Sequence, residues 1–494
     1  MKTAAVIGAG FGGLALAIRL QSAGIVTTLV EARDQPGGHV AVRDQDGFRF
    51  DAGPAILADP DGLAALWRLS GHDIGEDVEL LPVSPFYRLM WPDGTSFDCS
   101  GDDAAMVRQI AALNPEDVAG YRRFLDYAAD AYRDGYQALG QGAFLDLKSM
   151  AQVAPQLIKG QAWRSLLAIV SSFVEDAHVR QALSFPALLL GGNPMTVSAT
   201  YALIHRLERE GGIWYPRGGL QALVRGMVAH FERLGGTVRL GDPVVAIDTL
   251  GDRVTGLTCA SGWGAAFDAV ASNADVMHSY RDLLGHTKRG ERAVRGLERK
   301  RFSPSLFAVH FGIRGTFPGI PHHSMLFGPR YEGLLTDIFD NGVLSRDFAL
   351  WLHHPTVTDP GLAPDGCSVF SAVAPVPHLG KLPIDWAEIG PAYADRILDH
   401  LDARLIPGLR ERLVTRFHVT PANLATDLNA HLGSAFGLEP LRTQSAFFRV
   451  HNRDDRIPNL YFVGAATHPG AGIPGVVASA RATSALMLDD LRRS

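Results

Sequence analysis

The feature that most constrains this chain is a glycine-rich turn near its start, in the stretch AVIGAGFGGLALAIRL from Ala5 to Leu20. A short apolar run predicts a strand, Gly8, Gly10 and Gly13 follow it, and the apolar spacing then becomes helical. The segment TTLVEA supplies a second strand. These thirty residues therefore predict the strand–turn–helix–strand unit that opens a doubly wound α/β sheet.

Such a turn predicts a dinucleotide site. Gly8 permits the tight turn, Gly10 lets backbone N–H groups approach a pyrophosphate, and Gly13 lets helix and strand pack closely. The N-terminus of the helix adds positive partial charge. Glu31 ends the second strand, where it can accept hydrogen bonds from both ribose hydroxyls and repel the 2'-phosphate of NADP. The alternative is a turn that serves the backbone alone, beside a solvated Glu31.

A second glycine-rich turn closes the chain, in GAATHPGAGIPGVVASARAT from Gly464 to Thr483. It follows the apolar segment NLYFVG, which predicts a strand, and it leads into a helix of small residues that we expect from Gly475 to Leu491. This run either holds part of a ligand at the helix N-terminus or is a small-residue helix packed on a sheet.

Composition narrows the class of protein. With 494 residues the chain is too long for one core, and 47% apolar and 20% charged residues describe an ordered globular protein. A net charge of -6 argues against nucleic acid as a partner. The three cysteines, Cys99, Cys259 and Cys367, are far apart, which favours a reducing compartment. No apolar stretch approaches the roughly 18 to 20 residues that span a bilayer.

Further motifs resemble a known family. The segments PGGHV and GFRFDAGPAIL resemble those of FAD-dependent amine oxidases and carotenoid desaturases. Matches to bacterial phytoene desaturase extend over nearly the whole chain, and they include LLPVSPFYRL, PEDVAGYRRFLDY, LLLGGNP, WYPRGG, ASNADVMHSYRDLL, FGPRY, APVPHLG and NLYFVGAATHPGAGIPGVVASA. The chain is thus identified as similar to that family.

The resemblance implies FAD-dependent desaturation of phytoene, in several steps to lycopene, by hydride transfer to flavin N5 and loss of a proton. The implied partners are phytoene and partly desaturated carotenes, the membrane surface, oxygen or a quinone as electron acceptor, and a second copy of the chain in a homo-oligomer. The implied location is peripheral, on the cytoplasmic side of the cell membrane. Rival functions are an oxidase of an amine or a porphyrinogen, a carotene isomerase, and a prenyl-carrier binding module.

The motifs and the resemblance together assign cofactor-binding positions. In this assignment the closing helix meets the isoalloxazine ring, where its N–H groups can stabilise the negative charge of reduced flavin. The family commonly has Arg where this chain has His39, and a neutral imidazole is a weaker phosphate partner. The positions are Gly8, Gly10, Gly12, Gly13, Glu31, Ala32, Arg33, Gly37, Gly38, His39, Gly53, Pro54, Val244, Asn273, Gly464, Gly472, Ile473, Pro474, Gly475 and Val476.

The predicted fold class is α/β: a Rossmann-like FAD-binding fold with a β-containing substrate region and a helical insertion that meets the membrane. We assign residues 1–75, 215–285 and 426–494 to the FAD-binding domain. Residues 76–113 and 286–425 are assigned to the substrate region, and 114–214 to the helical insertion. Two apolar segments of that insertion, Trp163 to Val174 and Phe185 to Pro194, either reach the bilayer interface or pack in the core.

Few polar residues stand out as catalytic candidates. His468 precedes the second glycine turn and lies near the flavin ring by motif position, either as a catalytic group or as a hydrogen-bonded turn residue. No other acid or base is compelling. The pairs His322-His323 and His353-His354 suggest metal, but neighbours on a strand point to opposite faces and no carboxylate or thiol partner recurs at ligand spacing. We therefore predict that no metal is bound.

Overall fold

A computed structural model describes residues 1–51, 53, 56–139, 142 and 154–493, with the side chains of 137–139 excepted. Its α-helices lie at Phe11–Ser22, Pro60–Arg68, Asp103–Leu113, Asp117–Ala131, Leu166–Val170, Ala177–Ser184, Leu203–Gly211, Leu220–Arg233, Val276–His278, Lys288–Leu297, Tyr331–Thr336, Trp386–Arg404, Leu409–Arg412, Pro421–Asp427 and Ile473–Arg493. Its strands lie at Thr3–Ile7, Val26–Val30, Val42–Gln45, Phe48–Asp51, Leu80–Pro82, Tyr87–Met90, Ser96–Cys99, Trp214–Pro216, Thr237–Arg239, Val244–Leu250, Arg253–Cys259, Gly264–Ala266, Ala269–Ser272, Ser305–Arg314, His323–Leu326, Leu350–His353, Cys367–Val376, Leu413–Val419 and Leu460–Phe462.

A five-stranded parallel sheet joins the two ends of the chain. Its order is Leu460–Phe462, Ala269–Ser272, Thr3–Ile7, Val26–Val30 and Thr237–Arg239. The helix Phe11–Ser22 packs against both the closing helix Ile473–Arg493 and the helix Leu220–Arg233. The central strand is buried from Ala4 to Ile7, as expected for a parallel sheet covered by helices. All five strands come from segments assigned to the FAD-binding domain, although the exact domain boundaries remain a prediction.

A seven-stranded mixed sheet forms the second layer. Its order is Leu413–Val419, Ser305–Arg314, Cys367–Val376, Leu350–His353, His323–Leu326, Tyr87–Met90 and Ser96–Cys99. Alternation along a strand sends Leu350 and Leu352 into a core with the helix Trp386–Arg404, whereas Trp351 points to the opposite face. That opposite face is covered by helices between residues 103 and 211.

The helical region packs on the large sheet through an apolar core, and a buried carboxylate holds its own segments together. Asp117 accepts hydrogen bonds from the backbone N–H groups of Glu175 and Asp176, at 2.7 and 2.8 Å, and so ties two helical segments together. Phe124, Ile169 and the other apolar residues of this core meet the sheet. Within the described residues, the model has no helix with both the length and the apolar character needed to cross a membrane.

Candidate active site

The opening glycine turn is built by close backbone approach. The N–H of Gly8 donates to Val30 O at 2.7 Å, which fixes the turn to the neighbouring strand. A Cβ atom at Gly13 would collide with the carbonyl oxygen of Gly8, so only glycine lets the helix lie this close. Gly10 is the N-cap residue and has no side chain to occupy the helix N-terminus. The first-turn N–H groups therefore remain available to an anion.

Glu31 is held against this turn. Its Oε2 accepts from the N–H of Ala9 at 2.7 Å, and its Oε1 accepts from the N–H of Arg33 at 3.1 Å. The side chain is buried and lines a cavity. Because backbone donors hold both carboxylate oxygens, the carboxylate is fixed in position on the cavity wall.

The two glycine-rich turns meet at Asn273. A Cβ at Gly12 would lie 2.5 Å from Asn273 Oδ1, and a Cβ at Gly464 would lie 2.6 Å from the same atom. The N–H of Asn273 donates to Ile7 O at 2.8 Å, so this residue is anchored to the central strand. The sequence predicts that the turns share a ligand, and the structure adds that they also touch each other.

His39 lines the cavity beside Arg33. Burial, and secondly the nearby Arg33 guanidinium, lower the pKa of His39 to about 4, so the imidazole is neutral at pH 7. His39 is nevertheless exposed, and because it lines the cavity it is open to a ligand there. Arg33 donates to Gly38 O at 2.8 Å and lines the same wall. The cation here is thus Arg33, and His39 adds none.

The cavity measures about 1270 Å³ and runs between the two turns and the large sheet. Small-molecule sites usually occupy about 300 to 1,000 Å³, so this space has room for more than one ligand. The predicted cofactor residues on its wall are Gly8, Gly10, Gly12, Glu31, Ala32, Arg33, Gly37, Gly38, His39, Gly53, Val244, Asn273, Gly472, Ile473, Pro474, Gly475 and Val476.

Two of the described cofactor positions are not on this wall. Gly13 and Gly464 shape the turns from behind, through the close approaches described above. Pro54 lies outside the described residues. His468 does line the cavity and is buried, and its carbonyl oxygen accepts from Asn452 at 3.3 Å.

One end of the cavity is apolar. Its wall is formed by the segment Phe185–Leu190, by residues of the helix Leu203–Gly211, and by Met325 and Trp351 of the large sheet. The second apolar segment singled out in the sequence therefore lines the cavity and does not pack wholly in the core, while its contact with a bilayer stays a prediction. The first segment is partly buried: Leu166, Ile169, Val170 and Val174 lie in the core, whereas Trp163 is 56% exposed and Ala168 and Ser172 are also exposed.

Sequence reasoning missed one polar pair at this apolar end. Glu208 lines the cavity and is 4% exposed, and its Oε2 accepts a hydrogen bond from Tyr87 Oη at 2.8 Å. Burial raises the pKa of Glu208 to about 7. A signal was available: Glu208 follows Ile204 by four residues, so it falls on the apolar face of its helix, where a carboxylate is unusual.

The structure contradicts one part of the reasoning about histidines. His322, His323 and His353 bring one nitrogen each within 4.8 Å of one another, and all three are buried. His323 and His353 are cross-strand partners. His322 lies just before the strand His323–Leu326, so the alternation of side chains along a strand does not direct it away from the other two histidines. His322 Nε2 and His353 Nε2 are 3.0 Å apart, while His354 points elsewhere, toward Ile320 O. Burial lowers the pKa of each clustered histidine, which keeps them neutral.

The chain is similar to known proteins along nearly its whole length. The family model described as flavin containing amine oxidoreductase matches residues 11–488. A phytoene desaturase (lycopene-forming) of a Paracoccus species is 57% identical over 490 residues, covering 99% of this chain and 98% of the relative. A protein of the same description from Pseudescherichia vulneris is 54% identical over 492 residues, covering 100% of both.

A solved structure confirms the predicted α/β fold class. A triple mutant of putrescine oxidase matches with a TM-score of 0.66 at 17% identity, covering 100% of this chain and 99% of that one. At this low sequence identity, the match is evidence for the fold alone. The family match covers nearly the whole chain and supports a flavin cofactor. This chain belongs to the family of flavin containing amine oxidoreductases.

Proposed function

We propose that this chain is an FAD-dependent phytoene desaturase that forms lycopene. One observation carries the proposal: a single cavity joins a dinucleotide turn to an apolar chamber that has room for a hydrocarbon beside the cofactor. The two relatives named above, described as lycopene-forming phytoene desaturases, support it.

The residues present fit FAD. The side-chain-free cradle around Gly10 and Gly12 would be filled by any Cβ, and the two helix N-termini at Phe11 and Ile473 supply N–H groups for negative charge. Glu31 would hold the ribose, and Arg33 would face the phosphates. Bound FAD would supply the oxidant, which takes a hydride, that is a proton with two electrons, from carbon.

The chain itself positions the substrate and excludes water. Phytoene has no polar handle, so contact with apolar walls such as Phe185, Leu207 and Trp351 must hold it. The same walls keep water from electron-deficient carbon, which water would otherwise trap. Several successive steps require the hydrocarbon to slide along the chamber, and an apolar wall permits this because it makes no directional contact.

The test is conversion of phytoene. The chain expressed in a bacterium that accumulates phytoene should yield a red product with the absorption of lycopene. A yellow product would show fewer steps, and unchanged colourless phytoene would contradict the proposal. The matched control is Gly13→Ala, which is designed to prevent cofactor binding without touching the chamber.

We also propose that the chain works as a peripheral protein at the cytoplasmic membrane surface, through an apolar patch at the cavity mouth. The patch consists of Ile158, Trp163 and Phe448, which are 63%, 56% and 50% exposed. Leu157 and Ala446, close to them in sequence, line the cavity. Arg442 contacts Trp163 O and so connects the two segments. A hydrocarbon dissolved in lipid would then pass into the chamber without crossing water.

The electron acceptor and the oligomeric state also belong to this proposal. We infer that oxygen or a quinone reoxidises the enzyme and that the chain forms a homo-oligomer. Lycopene formation under anoxia, with and without an added quinone, distinguishes the acceptors. Light scattering of the purified holoenzyme measures the mass of the assembly.

A further inference from the structure

The carboxylate of Glu208 occupies a distinctive place in the cavity. It sits on the helix Leu203–Gly211 among the apolar residues Ile204 and Leu207, which line the same wall. Its hydrogen-bond donor, Tyr87, lies on the strand Tyr87–Met90 of the large sheet, opposite this helix. The Tyr87 ring contacts Phe185 at 5.2 Å and Trp351 at 6.0 Å between ring centroids. The carboxylate therefore belongs to the chamber that receives the hydrocarbon.

The other carboxylates of the described cavity wall lie at different places and have other tasks. Glu31 is held by the dinucleotide turn. Asp275 accepts from the N–H groups of Met277 and His278 as a helix cap. Asp282 pairs with Arg281, and Asp427 accepts from the hydroxyl of Thr426 on an exposed helix. Burial also raises the pKa of Asp275, but two backbone N–H groups hold that carboxylate as the cap of its helix.

Burying a carboxylate in such a chamber costs free energy unless the charge has a use or a partner. Tyr87 supplies one hydrogen bond to Oε2. Burial raises the pKa of Glu208, and the Tyr87 hydrogen bond acts in the opposite direction, with a result of about 7. Near neutral pH the group is therefore present in both protonation states, which is the condition for a group that accepts and then releases a proton.

We propose that Glu208 is the proton acceptor of the desaturation step, an inference that rests on the proposed function. One C–H bond of the substrate breaks with its electron pair, which leaves as hydride to the oxidant. The C–H bond on the adjacent carbon then breaks, its electron pair forms the new double bond, and the proton passes to Glu208 Oε1, the oxygen that Tyr87 does not engage. Release of that proton to water on product exchange restores the carboxylate.

The primary test is Glu208→Gln, measured as FAD-loaded enzyme on phytoene in liposomes. Removal of a general base typically costs about 10²- to 10⁴-fold, so we expect kcat to fall by about 10²-fold or more with KM nearly unchanged. Flavin absorbance and the melting temperature should match the unmodified protein. The matched control is Glu210→Gln on the same helix, because Glu210 is exposed and pairs with Arg206; its activity should be unchanged.

The pH profile separates a proton acceptor from a structural role. The kcat/KM of the unmodified enzyme should rise with pH through about 7, where Glu208 ionises, and this rise should disappear in Glu208→Gln. In Tyr87→Phe the hydrogen bond that favours the carboxylate is lost, so the rise should move to higher pH. A structural role would lower the rate at every pH without moving the profile.

Failures of the two proposals are distinguishable. If the unmodified enzyme leaves phytoene unchanged, the proposed function and this inference both fall. Suppose instead that the unmodified enzyme makes lycopene. If the folded, FAD-loaded Glu208→Gln variant then works at the same rate, or keeps the rise of kcat/KM near pH 7, only the inference falls. Should Glu208→Gln not fold, the Tyr87→Phe profile decides alone: an unmoved profile overturns the inference.

Discussion

At the scale of single residues, the site depends on glycines, because a Cβ atom at several positions would collide with neighbouring atoms. Gly12 and Gly464 approach Asn273 so closely that a methyl group on either would overlap its amide. Gly13 is closer still to the strand before it. Because backbone, not a flexible side chain, faces Gly13, the neighbour cannot move aside, and the position of the helix relative to the strand is fixed by the lack of a Cβ.

Gly13→Ala should therefore lose the cofactor. The helix Phe11–Ser22 must shift away from the strand, which moves the N–H groups that meet the pyrophosphate, and overpacking of this kind costs about 1 to 3 kcal/mol. The ratio of flavin to protein absorbance after purification should fall several-fold, with a lower melting temperature. Gly296→Ala is the control, since a Cβ there meets open space on a helix. A yellow, fully loaded Gly13→Ala protein would contradict the geometry.

His39→Arg should tighten FAD binding. The neutral imidazole offers no charge to the phosphates, whereas a guanidinium makes hydrogen bonds to charged groups worth about 1.5 to 3 kcal/mol. The dissociation constant, measured by titrating apoprotein with FAD, should fall about tenfold or more. His39→Gln, which is polar and uncharged, should bind like the unmodified chain. Equal affinity of the Arg and Gln variants would show that Arg33 already neutralises the phosphates.

At the scale of elements, the sequence predicts local units better than their meeting places. Strand, glycine turn and helix follow from residues within thirty positions of one another, and the structure places Glu31 at that turn. Tyr87 and Glu208 are 121 residues apart and meet only because a helix packs on the large sheet. The pairing of His323 with His353 depends equally on strand register, which apolar alternation alone does not determine.

The proposed apolar patch takes its residues from two segments of the chain that the contact between Arg442 and Trp163 O links. Trp163→Glu combined with Phe448→Glu should weaken binding to phosphatidylcholine liposomes, because burying each large apolar side chain contributes about 1.5 to 3 kcal/mol. Co-sedimentation should show at least a tenfold lower partition coefficient. Leu250→Glu is the control, since Leu250 is 79% exposed at a hairpin in another part of the protein. Equal loss in both variants would mean that the patch is not the docking surface.

At the scale of the whole molecule, the fold buries an unusual number of neutral histidines. Burial lowers the pKa to about 3 for His310 and His323, and to about 4 for His205 and His354. Four carboxyls act in the opposite sense: burial raises the pKa of Asp51 to about 6 and that of Glu208 to about 7, and it also raises the pKa of Asp275 and of Glu439. Histidines outnumber these carboxyls, so the net pH dependence should follow the histidines.

The stability of the protein should therefore fall as the pH falls below about 6.5. Between that value and about 3 to 4, the unfolded chain binds protons that the folded chain excludes, and each such histidine removes about 1.4 kcal/mol of unfolding free energy per pH unit. Urea midpoints of the holoenzyme at pH 8, 7, 6 and 5 measure the slope. His310→Gln should flatten it, because a neutral amide replaces a histidine that is fully buried in the sheet core. The exposed His286, changed to Gln, should leave the slope as it is; a slope equally steep in His310→Gln would mean that the acid sensitivity arises elsewhere.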